Sequence, residues 1–361
     1  MDYEKRRKKL WRKIKSLGVD ALLVTDFTNV TYLTGFTGDD SYLLVRHDGE
    51  TLLSDGRYTT QIANECPGLD AECRLPGTQM YELLNRVISK CKIGRLAIEA
   101  DSMTVAMQEK LGKELPKVEL VSSTGLVGEL RMRKDREEIE RIRAAVDVAQ
   151  RAFAAVRATL RGDQTEKEVA DELEHQMRRL GARAASFPSI VASGPRAALP
   201  HAVPQDVPIG RDGLLLIDWG AQHQLYASDL TRVLMLDKIS AKMRRAYDVV
   251  LRAQRRAIEA IRPGAATKDV DQVARDTICD AKLGRYFGHG LGHGIGLQVH
   301  EGPRMSTASE GELKAGMVIT VEPGVYMPDL GGIRLEDDVL VTRDGCEVLT
   351  SVPKEFDEMI I

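Results

Sequence analysis

Apolar and polar positions follow two alternating periods along the first third of the chain. Near the N-terminus, apolar residues recur at helical spacing and predict an amphipathic first helix. These residues are Leu10, Trp11, Ile14 and Leu17. Short apolar runs then predict strands, two of which form a hairpin around a His-Asp-Gly turn. The predicted strands cover residues 19–25, 41–46, 50–54 and 96–98, and a helix is expected at 102–113. This pattern is typical of an α/β domain, which we expect to end near Val127.

The remaining two thirds begin with helices and then alternate between helices and apolar strands. The predicted helices cover residues 135–160, 165–181, 240–261 and 268–282, and strands are expected at 189–192 and 214–217. A capping-box pattern of Thr165 and Glu168 starts the second of these helices. Thr267 is expected to cap the fourth helix.

The two long helices of this region resemble each other in sequence. Aligning residues 143–161 with 244–262 at a constant offset pairs identical residues at seven positions, which include Asp147 with Asp248. Shared helix composition explains such a match, because Ala and Arg dominate both segments. The alternative is a duplicated unit whose two halves close around one pocket on a pseudo-twofold axis.

Length, charge and cysteine usage limit the class of protein. A chain of 361 residues favours two domains, which we place at residues 1–128 and 129–361. The formal charge of −3 argues against a nucleic-acid partner, because phosphate contacts require a strong positive field. The five scattered cysteines form no CxxC pair, which indicates reduced thiols and a cytoplasmic protein. No apolar run approaches the roughly 20 residues of a membrane span, so no membrane partner is expected.

Two aspartates of the C-terminal part lie where strands are predicted to end. Asp218 closes the apolar run LLLIDWG, and Asp229 follows eleven residues later, beyond a polar turn. An antiparallel return would bring the two carboxylates side by side. Neighbouring buried carboxylates are unfavourable unless a cation compensates them. The pair therefore indicates a divalent-cation site, against the alternative that each aspartate caps a turn or pairs with Arg232.

A stretch rich in glycine and histidine is the most specific signal in the chain. Residues 287–301 have the sequence FGHGLGHGIGLQVHE, in which the glycines let the backbone pass close to other groups. Its histidines are His289, His293 and His300. A phosphate-binding loop is disfavoured, because the stretch lacks a strand-then-helix context and a Lys-Ser/Thr ending.

Two glutamates complete a set of metal-binding side chains. Glu322 ends an apolar run in MVITVEPGVY, and Glu336 lies in GGIRLEDDVLV, an alternating strand that also contains Arg334. With the two aspartates and His293 they give four carboxylates and one imidazole. Such oxygen-rich sets suit Mn²⁺, Co²⁺ or Zn²⁺ and can bridge two ions. A structural zinc site would favour thiolates, which this set lacks.

These motifs resemble the creatinase/aminopeptidase P/prolidase group of pita-bread metallopeptidases over nearly the whole chain. In the C-terminal part the resemblance rests on LLLIDWGAQHQLYASDLTR, FGHGLGHGIGLQVHEGP, MVITVEPGVY and GGIRLEDDVLVT. In the N-terminal part it rests on VTDFTNVTYLTGFTG and SDGRYTTQ. SIVASGPRAALPHAVP is similar to the family segment that carries an active-site histidine, here His201. The expected fold is α/β (α+β), with a creatinase-like N-terminal domain and a pita-bread catalytic domain that contains a pseudo-twofold repeat.

The resemblance also implies a ligand role for each residue of the metal-binding set. It makes Asp218 a ligand of one divalent ion, and His293 and Glu322 ligands of a second. Asp229 and Glu336 are implied to bridge the two ions. Mn²⁺ is the expected metal, with Co²⁺ or Zn²⁺ as alternatives.

Further residues are implied to act on the substrate. A hydroxide shared by the two ions would attack the peptide bond before proline. His201 and His300 are expected to stabilise the developing oxyanion, and Glu322 to pass a proton to the prolyl nitrogen. His289 is expected to bind substrate, and Arg334 to support a carboxylate ligand.

Two positions of this region have open or minor roles. Arg304 either binds a substrate carboxylate, which would favour a dipeptidase, or forms a surface ion pair. His223 has no counterpart in the family and is expected to be a loop residue.

The expected activity is that of an Xaa-Pro aminopeptidase acting on proline-containing peptides, with an Xaa-Pro dipeptidase as the alternative. The N-terminal domain argues against a methionine aminopeptidase. A metal-free peptide-binding or scaffold protein of the same fold is the non-enzymatic alternative, and the complete ligand set argues against it. The resemblance further implies a homodimer.

Overall fold

The computed structural model describes residues 1–211 and 213–361, and the contacts divide the chain into two units. The first unit is Met1–Arg131 and the second is Met132–Ile361. The domain division at residue 128 stays a prediction. Within the described ranges, no helix combines the length and the apolar character that crossing a membrane requires.

The first unit is built on one mixed sheet with the strand order β4-β3-β2-β1-β5-β6. Its strands are β1 (Ala21–Val24), β2 (Ser41–Arg46), β3 (Glu50–Asp55), β4 (Asp70–Arg74), β5 (Arg95–Glu99) and β6 (Glu119–Ser123). Its helices are α1 (Tyr3–Ile14), α2 (Phe27–Thr34), α3 (Thr59–Glu65), α4 (Met80–Lys90), α5 (Val105–Glu114) and α6 (Leu126–Arg131). The predicted hairpin is confirmed, because β2 and β3 pair antiparallel. All four residues of β1 are buried, as expected for a central strand that reads as an unbroken apolar run.

The second unit contains four long helices and a series of short strands. The helices are α7 (Arg136–Arg157), α8 (Glu166–Arg179), α9 (Ala241–Ala260) and α10 (Thr267–Asp280). The strands before α9 are β7 (Ala184–Ala185), β8 (Ile190–Ser193), β9 (Leu214–Trp219), β10 (Ala221–His223), β11 (Tyr226–Ala227) and β12 (Leu230–Met235). Those after α10 are β13 (Gly292–Gly294), β14 (Glu301–Met305), β15 (Val318–Val321), β16 (Gly324–Met327), β17 (Gly331–Arg334), β18 (Asp337–Val341) and β19 (Cys346–Val348).

The second unit repeats one connectivity twice. Helices α7 and α8 lead into the sheet β12-β9-β8, and helices α9 and α10 lead into the sheet β14-β13-β15-β18-β19. An isolated antiparallel bridge joins Thr231 of β12 to Glu336, which directly precedes β18, so the two sheets approach each other there. The duplication that the helix similarity suggested is therefore present, and it accounts for the expected pseudo-twofold repeat.

Helix starts agree with the sequence patterns at α8 and differ at α10. The capping box of Thr165 and Glu168 is formed, with the side chain of each accepting from the backbone N–H of the other. The prediction that Thr267 caps α10 was wrong. Ala266 occupies the cap position, and Thr267 begins the helix with its hydroxyl donating to the carbonyl of Gly311. The backbone N–H of Thr267 donates to the same carbonyl at 2.9 Å, so both buried donors of this residue are satisfied by Gly311 and not by the helix end.

Candidate metal centre

Strands β9 and β12 place the two aspartates of the predicted pair. Both strands are buried along their whole length and pair antiparallel, with Asp218 opposite Thr231. Asp229 lies just before β12, and its backbone N–H donates to the carboxylate of Asp338 at 3.1 Å. Burial raises the pKa of Asp229, and the nearby negative charges of Glu336 and Asp218 raise it further. The predicted antiparallel return therefore brings both carboxylates into one buried region, where they are offset along β9 and β12.

His293 lies in β13, where flanking glycines let the chain approach its neighbours. A Cβ atom at Gly292 would lie 2.2 Å from the carbonyl oxygen of Thr320, and one at Gly294 would lie 2.0 Å from that of Gly302. No real side chain tolerates such distances, so these two positions require glycine. The glycine-rich sequence is explained here by close packing of strands on both sides of His293.

The hydrogen bonds of His293 fix which ring nitrogen is free. Its Nδ1 lies 3.1 Å from the carbonyl oxygen of Gly294, and a carbonyl only accepts, so Nδ1 carries the hydrogen. Burial lowers the pKa of His293 to about 4, which leaves the ring neutral at neutral pH. Its bare Nε2 then faces Glu322 Oε1 at 3.4 Å and Asp229 Oδ2 at 3.7 Å. Lone pairs that face one another in this way repel unless a proton or a metal ion lies between them.

The two glutamates come from the second sheet and from its junction with the first. Glu322 follows β15 directly, as predicted. The expectation that Glu336 lies within a continuous strand was wrong, because Glu336 separates β17 from β18. Strand β17 pairs with β16, whereas β18 pairs with β15, so the chain changes partner at this point. Glu336 Oε2 accepts from the hydroxyl of Thr231 at 2.6 Å.

The acidic side chains of this region raise one another's pKa values. Burial and the neighbouring Glu336 and Asp218 raise the pKa of Asp229 well above its usual value. Burial also raises the pKa of Glu322 to about 8, against the opposing effect of Arg334. The pKa of Glu336 is raised well above its usual value by burial and by Glu322. Four carboxylates therefore share a space in which they cannot all be ionised without added positive charge.

Arg334 is the cation that contacts this cluster. Its Nη2 donates to Asp218 Oδ2 at 2.5 Å, and its Nε donates to Thr231 at 3.1 Å. Burial would lower the pKa of Arg334, but Tyr326 and the surrounding carboxylates raise it well above its usual value. One guanidinium compensates one of four carboxylates, so ionisation of the other three would leave an excess of negative charge.

The donor atoms fit a divalent cation. Asp229, His293 and Glu336 each offer one ligand atom within 4.8 Å of the others. Oδ1 of Asp218 is buried and finds no hydrogen-bond partner among the described residues. Unpaired buried carboxylate oxygens beside a bare imidazole nitrogen are the ligands that divalent transition metals prefer. The five predicted residues are thus brought together, with an unsatisfied negative charge that cations would balance.

The remaining predicted residues surround this cluster. The rings of His293 and His300 meet edge to face with centroids 4.4 Å apart. Burial lowers the pKa of His300, and the charges of Arg304 and His201 lower it further. Arg304 is exposed and pairs with His293 in the register of β13 and β14. His201 lies on an exposed loop.

His289 is held beside the cluster by two hydrogen bonds. Its Nδ1 donates to the carbonyl of Gly290 at 2.8 Å, so its Nε2 is free to accept from the hydroxyl of Tyr326 at 2.9 Å. Burial lowers the pKa of His289 to about 4, and the charge of Arg334 contributes. His223 was expected in a loop and instead ends β10, with its ring 2.9 Å from the carbonyl of Gly181.

Sequence reasoning missed two residues of this region. Tyr326 contacts both His289 and Arg334, the latter through a hydrogen bond of 2.7 Å from Arg334 Nη1. Thr231 joins Glu336 to Arg334. Strand alternation contained a signal for Thr231, because it lies two positions after Asp229 and so shares its face. Tyr326 gave no comparable signal, since its partners lie far from it in the chain or on the next strand.

Comparison with known proteins agrees with this arrangement. Residues 140–343 match metallopeptidase family M24, and residues 6–133 match the creatinase/prolidase N-terminal domain. The chain is 37% identical over 361 residues to an Xaa-Pro dipeptidase of Pyrococcus furiosus, and the match covers 98% of this chain and 99% of that protein.

Solved structures with two different names are similar to the chain. An Xaa-Pro dipeptidase from Bacillus anthracis has a TM-score of 0.95 and 34% identity, covering 99% of this chain and 100% of that chain. An X-Pro aminopeptidase from Thermotoga maritima MSB8 has a TM-score of 0.89 and 34% identity, covering 97% and 100%. Since the identities are equal, similarity alone does not separate the two activities.

Proposed function

The chain belongs to metallopeptidase family M24, and from this premise we propose that it hydrolyses the bond between an N-terminal residue and proline. The observation that supports this most is the buried group of Asp229, His293 and Glu336, whose ligand atoms lie within 4.8 Å of one another, with Glu322 3.4 Å from His293. Asp218 completes the set of five, since burial and the charges of Glu336 and Asp218 together raise the pKa of Asp229. The same five ligand positions argue against a metal-free scaffold protein. The proposed preference for proline rests on similarity to proteins named Xaa-Pro dipeptidase and X-Pro aminopeptidase.

We propose that Asp218 binds one divalent ion and that His293 and Glu322 bind a second. Asp229 and Glu336 would bridge the two, and Mn²⁺ is the proposed metal. When bound, such ions supply Lewis acidity, which lowers the pKa of water and polarises a carbonyl.

The protein's own side chains would perform the remaining steps. Glu322 is proposed to hold a proton and to deliver it to the departing prolyl nitrogen, which a raised pKa suits. His201 and His300 would donate hydrogen bonds to the carbonyl oxygen as negative charge develops on it. Because the amide of Xaa-Pro has no N–H, the pocket needs no acceptor at that position, and this favours proline.

Arg304 is the observation that favours a dipeptidase. Its guanidinium is exposed, lies opposite His293 in the strand register, and is close enough to affect the pKa of His300. Among the described residues Arg304 forms no ion pair, so its charge is available for a ligand. We propose that it binds the carboxylate of the prolyl residue. The Xaa-Pro aminopeptidase expected from the sequence becomes the second candidate, which the name of the similar structure from Thermotoga maritima supports.

Comparison of a Xaa-Pro dipeptide with the corresponding Xaa-Pro-Xaa tripeptide tests this proposal. Enzyme stripped with a chelator and reloaded with Mn²⁺, Co²⁺ or Zn²⁺ should hydrolyse the dipeptide with the higher kcat/KM. Arg304→Ala should raise KM for the dipeptide about tenfold or more and leave the tripeptide unchanged, because it removes a charge-assisted hydrogen bond. Arg285→Ala, which removes another exposed arginine, is the matched control. A higher kcat/KM for the tripeptide would establish the aminopeptidase instead.

We further propose a homodimer and a cytoplasmic location. Sedimentation equilibrium measures the first, and fractionation of cells measures the second.

A further inference from the structure

The loop that carries His201 begins directly after β8. It includes the 3₁₀ helix Gly194–Ala198 and an exposed tip. His201 itself is exposed, and so are Leu199 and Val203, two positions away on either side, at 54% and 74%, whereas the adjacent Ala202 is buried. A side chain on such a tip is positioned only as well as the loop is held. The contacts at the base of this loop therefore contribute to the position of His201.

One carboxylate joins the two ends of the loop. Glu166 is the first residue of α8 and is fully buried. Its Oε1 accepts from the backbone N–H of Ser193 at 2.8 Å, and its Oε2 accepts from the backbone N–H of Gln205 at 3.1 Å. The Ser193 hydroxyl adds a third bond of 3.1 Å to Oε1. The helix N-terminus stabilises the negative charge at this position.

The side chain of Arg196 connects the two arms of the loop. Its Nε donates to both oxygens of Glu166, at 3.1 and 2.9 Å. Its Nη2 donates to the carbonyl of Val203 at 2.7 Å, on the far side of His201. One planar guanidinium thus fixes the distance between the two arms of the loop. A lysine carries the same charge but has one nitrogen, which cannot reach both partners.

We propose that Glu166 and Arg196 are positioning residues for His201. They act on the reaction through the loop and do not touch the substrate. This inference rests on the proposed function, in which His201 donates to the reacting carbonyl. A purely structural pair would stabilise the fold, whereas a positioning pair changes catalysis only while His201 is present.

A double-mutant cycle separates these two roles. Arg196→Lys, His201→Ala and the double variant are compared with wild type for kcat and KM on a Xaa-Pro dipeptide, with metal content measured in each. Arg196→Lys should lower kcat about tenfold, because small displacements of a catalytic group are costly. In the His201→Ala background the same change should have no further effect. Equal losses in both backgrounds would overturn the inference.

Hydrogen exchange gives a readout that does not depend on activity. Exchange of the backbone amides of Ser193 and Gln205 should become about tenfold faster or more in Arg196→Lys. Lys167→Ala is the matched control, because it removes an exposed ion pair with Asp171 from the same turn of α8. Unchanged exchange in Arg196→Lys would also overturn the inference.

Failure of the proposed function has a different signature. Full kcat and KM in His201→Ala alone would remove the role of that histidine and the positioning inference with it. Additive losses together with a damaged His201→Ala enzyme would leave the function standing and overturn only the positioning role.

Discussion

Glu336 and Asp337 are neighbours in sequence, yet they belong to two buried charge clusters of opposite character. Glu336 belongs to the cluster of four carboxylates with one guanidinium, and its pKa is raised well above its usual value by burial and by Glu322. Asp337 accepts from Arg232 at 2.7 Å and from the ammonium of Lys354. Burial would raise the pKa of Asp337, but these two cations lower it to about 2.

The difference between these clusters shows how to distinguish a structural acid from a ligand. Asp337 is fully paired, and its partner Arg232 also donates to the carbonyl oxygens of Thr231 and Glu336. Such a pair holds the backbone and needs nothing from outside the chain. In the cluster of Glu336, Arg334 is the one charged partner among the described residues and it pairs with Asp218, so the charge that balances the other carboxylates must come from solution. The excess of unpaired acid, and not burial alone, marks the site.

Removal of a ligand should have the largest effect of the changes considered. Glu336→Ala or Asp229→Ala should lower kcat/KM for a Xaa-Pro peptide by about 1,000-fold or more and reduce the bound metal, because each variant loses a proposed bridging ligand. Kinetics and elemental analysis of purified protein measure both quantities. Asp344→Ala, which changes an exposed acid nearby in the chain, should behave as wild type. Full activity in either ligand variant would contradict the bridging assignment.

Removal of the paired acid should mainly change stability. Asp337→Asn should lower the free energy of unfolding by about 3–5 kcal/mol, because it leaves Arg232 buried without its charge partner. Urea unfolding measures this. The exposed pair of Arg244 and Asp248 provides the control, since Asp248→Asn should cost about 0.5 kcal/mol or less. Equal costs at the two positions would contradict the contrast between buried and exposed pairs.

The free energy of unfolding should depend on pH through His289, which lies beside the acidic cluster. The pKa of His289 is about 4 in the folded protein because of burial, below its ordinary value of 6.5. Between these pH values the unfolded chain binds more protons, so stability falls as the pH drops from 6.5 towards 4. At pH 5 this costs about 2 kcal/mol, which His289→Gln should abolish. Unfolding free energies at pH 7 and 5 measure it, with His175→Gln as the exposed control. An identical pH dependence in His289→Gln would refute this assignment.

The smallest effect concerns the metal-free protein. Asp229→Asn should raise the free energy of unfolding by about 1 kcal/mol in the presence of a chelator, because it removes one of several crowded acids. Thermal unfolding with and without metal shows this, and the sign should reverse when metal is restored. A loss of stability in the metal-free state would indicate that Asp229 is already compensated by the chain.

The sequence predicted those site residues that end apolar runs. Asp218 is the next-to-last residue of β9 and Glu322 directly follows β15, so their position at a strand end could be read directly from the pattern. The break at Glu336 could not be read, because GGIRLEDDVLV alternates without interruption and the change of partner strand depends on non-local pairing. The same limit applies to Arg232, which the pattern offered as a partner for the metal-binding aspartates and which instead pairs with Asp337.

The bridge between Thr231 and Glu336 has a consequence for protein synthesis. Of the side chains proposed to bind metal, Asp218 and Asp229 come from the earlier half of the unit. His293, Glu322 and Glu336 come from the later half. A nascent chain therefore offers only scattered carboxylates to metal ions until its last strands have left the ribosome. The five side chains are therefore close together only once both halves of the unit have been made and folded.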